Sequence, residues 1–149
     1  MDAMRRIGWS LPFLALALLA AGPAPSRFDA LVAEARREVT EIAPAELAAR
    51  LARPRPPLLV DVREDSEWAA GRLPGAVHMS RGVLERRLEE AAPDPATEVV
   101  LYCASGARSA LAARSLRRMG YTRVSSLAGG YRAWTKAGRP VVGGGKAGR

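Results

Sequence analysis

The sequence predicts a single α/β domain in which a parallel β-sheet is covered by helices on both faces. Two observations carry this prediction. Strand and helix patterns alternate along the chain, which is typical of parallel sheets joined by crossover helices. In addition, residues 58–62 (LLVDV) form a nearly continuous apolar run, as expected of a strand buried on both faces. With 149 residues, the chain can bury one sizeable core and hardly two.

Apolar spacing, helix formers and turn residues give the individual elements. The predicted strands are 40–42, 58–62, 76–79, 98–102 and 123–127. The predicted helices are 27–37, 44–51, 66–70, 80–92, 107–119 and a final turn and helix over 128–138. Pro44 suits the first turn of its helix, and Gly120 suits a C-terminal cap.

The N-terminus resembles a secretory signal. Arg5 and Arg6 precede an apolar run over 11–21, followed by small residues and prolines up to residue 26. Eleven helical residues cover about half of a 30 Å hydrocarbon core, so no stable membrane span is expected. We predict cleavage before Arg27 and a periplasmic or secreted protein, with twin-arginine export as an alternative route.

The domain organisation follows from these segments. Residues 1–26 are the predicted signal peptide, 27–40 an N-terminal helix, 41–141 the main domain and 142–149 a flexible tail. If translation instead starts near Phe28, the protein is cytoplasmic.

Charge and cysteine content exclude several classes of function. The net charge is +8, but Lys and Arg alternate with Asp and Glu along most of the chain, which argues against a nucleic-acid partner. The single cysteine rules out an intramolecular disulfide and a structural zinc site. We expect no metal and no cofactor. The absence of heptads favours a monomer.

Cys103 begins the loop CASGARS directly after a predicted strand, where sites form in parallel sheets. Four small residues let the backbone curl and turn several N–H groups towards the sulfur: Ala104, Ser105, Gly106 and Ala107. A cradle for an anion is completed by the positive end of the next helix, by Arg108, and by Ser109 at the start of that helix. The end of the helix and the charge of Arg108 should both favour the thiolate form of Cys103. An inert buried cysteine is the alternative.

Other candidate side chains are interpreted as structural. The only histidine, His78, follows a different turn, and one of its nitrogens can bond to backbone. Tyr121, Tyr131 and Trp134 could form a rim for a donor, but Trp134 has the spacing of a core residue. We leave all four outside the predicted site.

Four stretches in this order resemble the rhodanese family over residues 41–141. They are LLVDVREDSEW, GRLPGAVHM, YCASGARS and LAGGYRAW. The resemblance implies a five-stranded parallel sheet and a cysteine that carries sulfur as a persulfide. It assigns Cys103 as nucleophile and Ala104 to Arg108 as its cradle, with Asp61 and Arg63 as supports. Arg72 stands where the family commonly has histidine.

Loop length separates the chemistries known in this family. Cys103 and Arg108 close a six-residue loop, whereas members resembling phosphatases carry one residue more. The loop therefore favours sulfur transfer from a small anion such as thiosulfate, or from a persulfide, to a thiol, cyanide or protein acceptor. A partner-dependent sulfur carrier with little free turnover is the alternative, and a phosphatase is third.

Overall fold

The computed structural model describes residues 24–144. Most of the predicted signal segment, up to residue 23, and residues 145–149 of the predicted tail lie outside the described residues. Within residues 24–144, every helix is too short or too polar to cross a membrane.

Five parallel strands form one sheet in the order β1-β5-β4-β2-β3. The strands are β1 Thr40–Ile42, β2 Leu58–Asp61, β3 Val77–His78, β4 Val99–Tyr102 and β5 Val124–Leu127. All four residues of β4, the central strand, are buried, in keeping with their apolar sequence. The prediction of a five-stranded parallel sheet is confirmed.

Helices cover both faces of the sheet, as predicted. They are α1 Arg27–Glu38, α2 Pro44–Leu51, α3 Asp65–Ala70, α4 Leu84–Ala91, α5 Ala107–Arg118 and α6 Gly130–Lys136. Alternate strand side chains point to opposite faces and so build two separate cores. One core joins Val60 and Leu101 to Leu116 of α5, and the other joins Val100 to Leu47 of α2.

Helix α4 starts later than the predicted helix over 80–92. The Val83 N–H donates to the Ser80 carbonyl at 3.0 Å, so residues 80–83 form a turn before α4 begins at Leu84. Helix α5 ends as predicted: Met119 is its C-cap, and Gly120 follows with φ of +100°. This left-handed conformation is one that glycine adopts without steric cost.

Helix α1 packs on α5 through Val32 and Ala35, which are buried. Ser26 caps its N-terminus in a reciprocal capping box with Asp29. Arg114 of α5 ties the two helices together, since its Nη1 lies 3.6 Å from a carboxylate oxygen of Glu34 and of Glu38 in α1.

The edge of the domain beyond α3 is closed by Arg72. Its backbone exchanges two hydrogen bonds with Val142, at 2.8 and 2.9 Å, in an isolated antiparallel bridge. Its guanidinium lies 4.6 Å from the centre of the Trp68 ring. Arg72 therefore joins the segment around Val142 to α3.

Candidate active site

Cys103 lies immediately after β4, at the carboxyl edge of the sheet. Strands β2 and β5 flank β4, so the loop after Tyr102 is surrounded by other strand ends. Cys103 is 1% exposed, and its sulfur accepts a hydrogen bond from the Gly106 N–H at 3.1 Å. The sequence therefore places a buried sulfur at the point where open parallel sheets form their sites.

The backbone of the loop curls around the sulfur because Gly106 has φ of +90° and serves as the N-cap of α5. A side chain at this position would also crowd Leu127 and Gly129. The twelve-residue helix α5 begins at Ala107, so its positive end lies beside Cys103. Backbone dipole and N–H donor together stabilise negative charge on the sulfur.

Two buried serine hydroxyls form a chain of contacts that ends at the sulfur of Cys103. Ser109 Oγ lies 3.6 Å from Cys103 Sγ, and Ser126 Oγ donates to Ser109 Oγ at 2.8 Å. Both serines are 0% exposed. Because Ser126 supplies a proton to Ser109, the Ser109 hydroxyl can donate its own proton to the sulfur. Sequence reasoning missed Ser126, which comes from β5.

Helix α6 holds the loop from its other side. The N–H groups of Tyr131 and Arg132 donate to the carbonyls of Cys103 and Ala104, at 2.8 and 3.1 Å. This approach requires glycine at Gly130, where φ is +57° and a Cβ would overlap the Cys103 carbonyl oxygen. The glycine pair in LAGGYRAW was visible in the sequence, but its contact with the loop was not.

Asp61 and Arg63 form a buried ion pair beneath this region. Asp61 is 0% and Arg63 4% exposed. The Arg63 side chain donates to both Asp61 carboxylate oxygens, at 2.7 to 3.0 Å, and to the Gly71 carbonyl at 2.6 Å. Burial opposes the charge on Arg63, but Asp61 outweighs it, so the pKa of Arg63 is raised.

Arg63 links this pair to the loop through aromatic rings. Its guanidinium lies 4.4 Å from the centre of the Tyr131 ring and 5.5 Å from that of Tyr102. Burial, then Asp61, raises the pKa of Tyr102, which keeps the phenol neutral while its oxygen accepts from the Leu73 N–H. Since Tyr131 also bonds to the Cys103 carbonyl, Arg63 supports the loop indirectly.

Arg108 is held by α3 on the outer side of the loop. Its two terminal nitrogens donate to the two Glu67 oxygens at 2.8 and 2.9 Å, and Glu64 lies 3.6 Å away. The hydrogen bonds from Arg108 lower the pKa of Glu67. Glu67 in turn raises the pKa of Arg108, with a smaller contribution from Cys103. Arg108 therefore adds positive charge near the sulfur while being bonded to a carboxylate.

The remaining aromatic and histidine side chains have structural partners. His78 Nε2 lies 2.9 Å from the Arg63 carbonyl oxygen, and its ring stacks on Trp68 with centres 5.0 Å apart. Trp134 is 3% exposed and donates to the Pro140 carbonyl. Tyr121 donates to the Ala92 carbonyl. These contacts fit the interpretation that none of the three acts in the site.

The predicted loop residues surround the sulfur unequally. Gly106 and Ser109 contact the sulfur of Cys103, while Ala104 is half-buried and Ser105 exposed. Residues 24–144 contain no group of three His, Cys, Asp or Glu side chains able to hold a metal ion. Among the described residues, the sulfur of Cys103 thus has one backbone N–H donor and one hydroxyl donor beside it, an environment that suits a thiolate.

Comparison with known proteins shows the family to which the chain belongs. The family model described as Rhodanese-like domain matches residues 43–137. A sulfurtransferase of Allochromatium vinosum is 41% identical over 104 residues, which are 70% of this chain and 95% of the relative.

Two solved structures share the fold. A polysulfide-sulfur transferase homodimer of Wolinella succinogenes is 31% identical with a TM-score of 0.71, and the match covers 82% of this chain and 91% of that one. A Rhodopseudomonas palustris protein of unknown function, described as "Possible Tyrosine Phosphatase", is 30% identical with a TM-score of 0.68, covering 82% and 100%. The chain thus belongs to the rhodanese-like domain family, and its relatives support a transferase that acts in sulfur transfer.

Proposed function

We propose that Cys103 takes a sulfane sulfur from thiosulfate or a persulfide and passes it to a thiol, cyanide or protein acceptor. The observation that carries this proposal is the hydrogen bond of 3.1 Å from the Gly106 N–H to Cys103 Sγ, at the N-terminus of α5. Donors in this position suit a thiolate and, after transfer, a persulfide anion. The serine hydroxyl of Ser109 adds a further donor.

The proposed reaction has two displacement steps. In the first, the Cys103 thiolate attacks the outer sulfur of thiosulfate and forms a new S–S bond. The old S–S bond breaks, and sulfite leaves with its electron pair. In the second, an acceptor thiolate or cyanide attacks the outer sulfur of the persulfide. The S–S bond to Cys103 breaks, and its thiolate is restored.

Two features favour sulfur over phosphate. The loop from Cys103 to Arg108 has six residues, which suits a single sulfur atom better than a tetrahedral phosphate. Moreover, both terminal nitrogens of Arg108 donate to Glu67, so one of the two edges with which an arginine can bind a pair of phosphate oxygens is already occupied. A phosphatase is therefore the least favoured of the three activities considered.

Mass spectrometry of the thiosulfate-treated protein tests the proposal. We expect a gain of one sulfur atom, about 32 Da, on the peptide that contains Cys103, and loss of that gain after cyanide treatment. Cys103→Ser should abolish both sulfur loading and turnover. A wild-type protein that gains no sulfur from thiosulfate or from a persulfide would overturn the proposal.

The same assay distinguishes a free enzyme from a dedicated carrier. An enzyme should turn over with thiosulfate and cyanide alone. A carrier should load sulfur on Cys103 but release it only to a specific protein acceptor. The comparison of loading with turnover therefore separates the two, because both require the same cysteine.

We also propose that the protein is exported, on the basis of the charged and apolar pattern in residues 1–26. Cell fractionation after expression in a Gram-negative host, with intact-mass measurement, tests this. Cleavage before Arg27 gives a chain beginning at Arg27 and removes Ser26, the N-cap of α1. A full-length protein confined to the cytoplasm would contradict export.

A further inference from the structure

A polar cavity lies at the amino edge of the sheet, opposite the Cys103 loop. It has a volume of about 350 Å³. Its lining comes from the start of β1, from the residues before β4 and around the start of β5, and from the ends of α2 and α5. It includes Arg50, Arg53, Glu98, Arg117 and Arg123. Glu98 directly precedes β4, so the length of that strand, roughly 16 Å, separates it from Cys103. The cavity is therefore distinct from the candidate active site.

Positive charge exceeds negative charge around this cavity. Glu98, whose side chain is 14% exposed, is shared by Arg50, Arg53 and Arg123, with N–O distances of 2.8 to 3.2 Å. One carboxylate can balance only one of these three cations. Arg117 has no carboxylate within 4.0 Å among residues 24–144.

Glu46 and the helix ends reduce this excess without removing it. Glu46 pairs with Arg50 but is half exposed. The C-termini of α2 and α5 contribute about half a negative charge each. However, Arg55 lines the adjoining cavity together with Arg53, Glu98 and Arg123, and adds a fifth arginine. Five arginines thus face two carboxylates and two helix ends.

The polar groups of the cavity include unused hydrogen-bonding capacity. Arg50 Nε is buried and has no hydrogen-bond partner among the described residues. An N–H donor that is buried without an acceptor destabilises the folded protein. Thr40, Thr122 and Ser125 add hydroxyl groups to the lining, and Val124 supplies its only aliphatic side chain. The lining therefore suits a small, highly charged acceptor.

We propose that this cavity binds a multiply charged oxyanion of the phosphate class. Arginine provides several N–H donors in a planar fork, so it recognises phosphate oxygens well. The cavity takes the anion through Arg53, Arg117 and Arg123, while Glu98 holds Arg53 and Arg123 at its wall. This binding does not depend on the sulfur chemistry at Cys103.

Isothermal titration of the full chain with pyrophosphate at low ionic strength tests the site. We expect saturable binding with one anion per chain. Arg117→Gln removes one cation from the cavity and should weaken binding about tenfold, as expected for one charged hydrogen bond. Arg86→Gln is the matched control, because Arg86 is 77% exposed on α4 and, within residues 24–144, pairs only with Glu90. It should leave the affinity unchanged.

Several results would overturn the proposal. Absence of saturable binding would do so, as would equal weakening by Arg117→Gln and Arg86→Gln, which indicates attraction by the overall charge. Loss of binding in Arg108→Gln alone would place the anion at the Cys103 loop. Arg53→Gln provides a second cavity variant if Arg117→Gln folds poorly, and thermal unfolding checks both. Sulfur loading of Cys103 should be unaffected by Arg117→Gln.

Competing ligands then define the class of anion. Inorganic phosphate and glycerol phosphate are titrated against bound pyrophosphate. Displacement by inorganic phosphate supports a free oxyanion as the ligand, and displacement by glycerol phosphate alone supports a phosphate ester. Failure of both to displace pyrophosphate would contradict a site for the phosphate class.

Discussion

The two sides of the Cys103 loop are each supported by an arginine and a carboxylate, but in different surroundings. On the inner side, Asp61 and Arg63 are almost completely buried. On the outer side, the side chains of Glu67 and Arg108 are 31% and 30% exposed. A buried pair cannot lose one member without leaving an unbalanced charge, whereas solvent can replace a partner of the outer pair. The inner ion pair therefore holds the loop in position, and the outer ion pair adjusts the charge near Cys103.

The largest effect is expected when Arg63, the arginine on the inner side, is replaced and Asp61 loses its partner. Arg63→Met leaves the Asp61 carboxylate buried without its cation, and should lower the free energy of unfolding by about 3–5 kcal/mol. Urea denaturation measures this. The exposed control Arg86→Met should change stability by no more than about 0.5 kcal/mol. Similar small effects from both variants would show that burial of the inner pair is unimportant.

A smaller loss should follow when the inner contact between α6 and the loop is crowded. In Gly130→Ala, the new Cβ overlaps the Cys103 carbonyl oxygen and lies 2.9 Å from the Gly106 nitrogen. We therefore expect the free energy of unfolding to fall by about 2–4 kcal/mol. Gly138→Ala is the control, because φ is similar at +67° but nothing lies within 4 Å. It should cost only about 1–2 kcal/mol. Equal costs in thermal unfolding would refute the clash.

Removal of a hydroxyl on the inner side should affect reactivity more than stability. In Ser126→Ala, the Ser109 hydroxyl loses its donor and can turn to the Gly106 carbonyl, 3.3 Å away, instead of the sulfur. Alkylation of Cys103 by iodoacetamide at neutral pH should slow by about two- to tenfold. Ser125→Ala is the control, because neighbouring strand residues face opposite sides of the sheet. An unchanged alkylation rate in Ser126→Ala would rule out the hydroxyl relay.

The smallest effect is expected on the outer side and depends on pH. Arg108 lowers the pKa of Glu67 from its ordinary 4.5, so the ion pair contributes stability above that pH and loses it as pH falls through the lowered value. Glu67→Gln should cost about 0.5–1 kcal/mol at pH 7, and this difference should vanish in acid. Urea denaturation across that range tests it. A difference that persists in acid would contradict the ion-pair origin.

These contrasts also show what the sequence could reveal. Local patterns located the apolar strand β2 and the small residues after Cys103, since strand burial and loop curvature depend on neighbours in the chain. They could not reveal that Ser126 donates to Ser109, 17 positions away, because that contact requires β5 and α5 to pack together. The partner of Arg108 was hidden for the same reason, as Glu67 is 41 positions distant.

The strand order was similarly inaccessible from local patterns. Alternating strands and helices predict a parallel sheet but allow several orders, and the observed order places β4 between β2 and β5. The start of α4 was also misjudged, because a turn at Ser80 to Val83 satisfies the same polar groups that a helix would. In both cases tertiary packing selected among arrangements that the sequence left open.

The burial of Cys103 sets the order of events in the proposed reaction. Gly106 and Ser109 occupy the inner side of its sulfur, and the residue is 1% exposed. A nucleophile must approach a persulfide sulfur opposite the bond that breaks, so the acceptor must take the position that the leaving group of the donor has vacated. Donor and acceptor must then enter in turn, and the protein alternates between a thiol and a loaded form. Initial rates should therefore give parallel lines in a double-reciprocal plot.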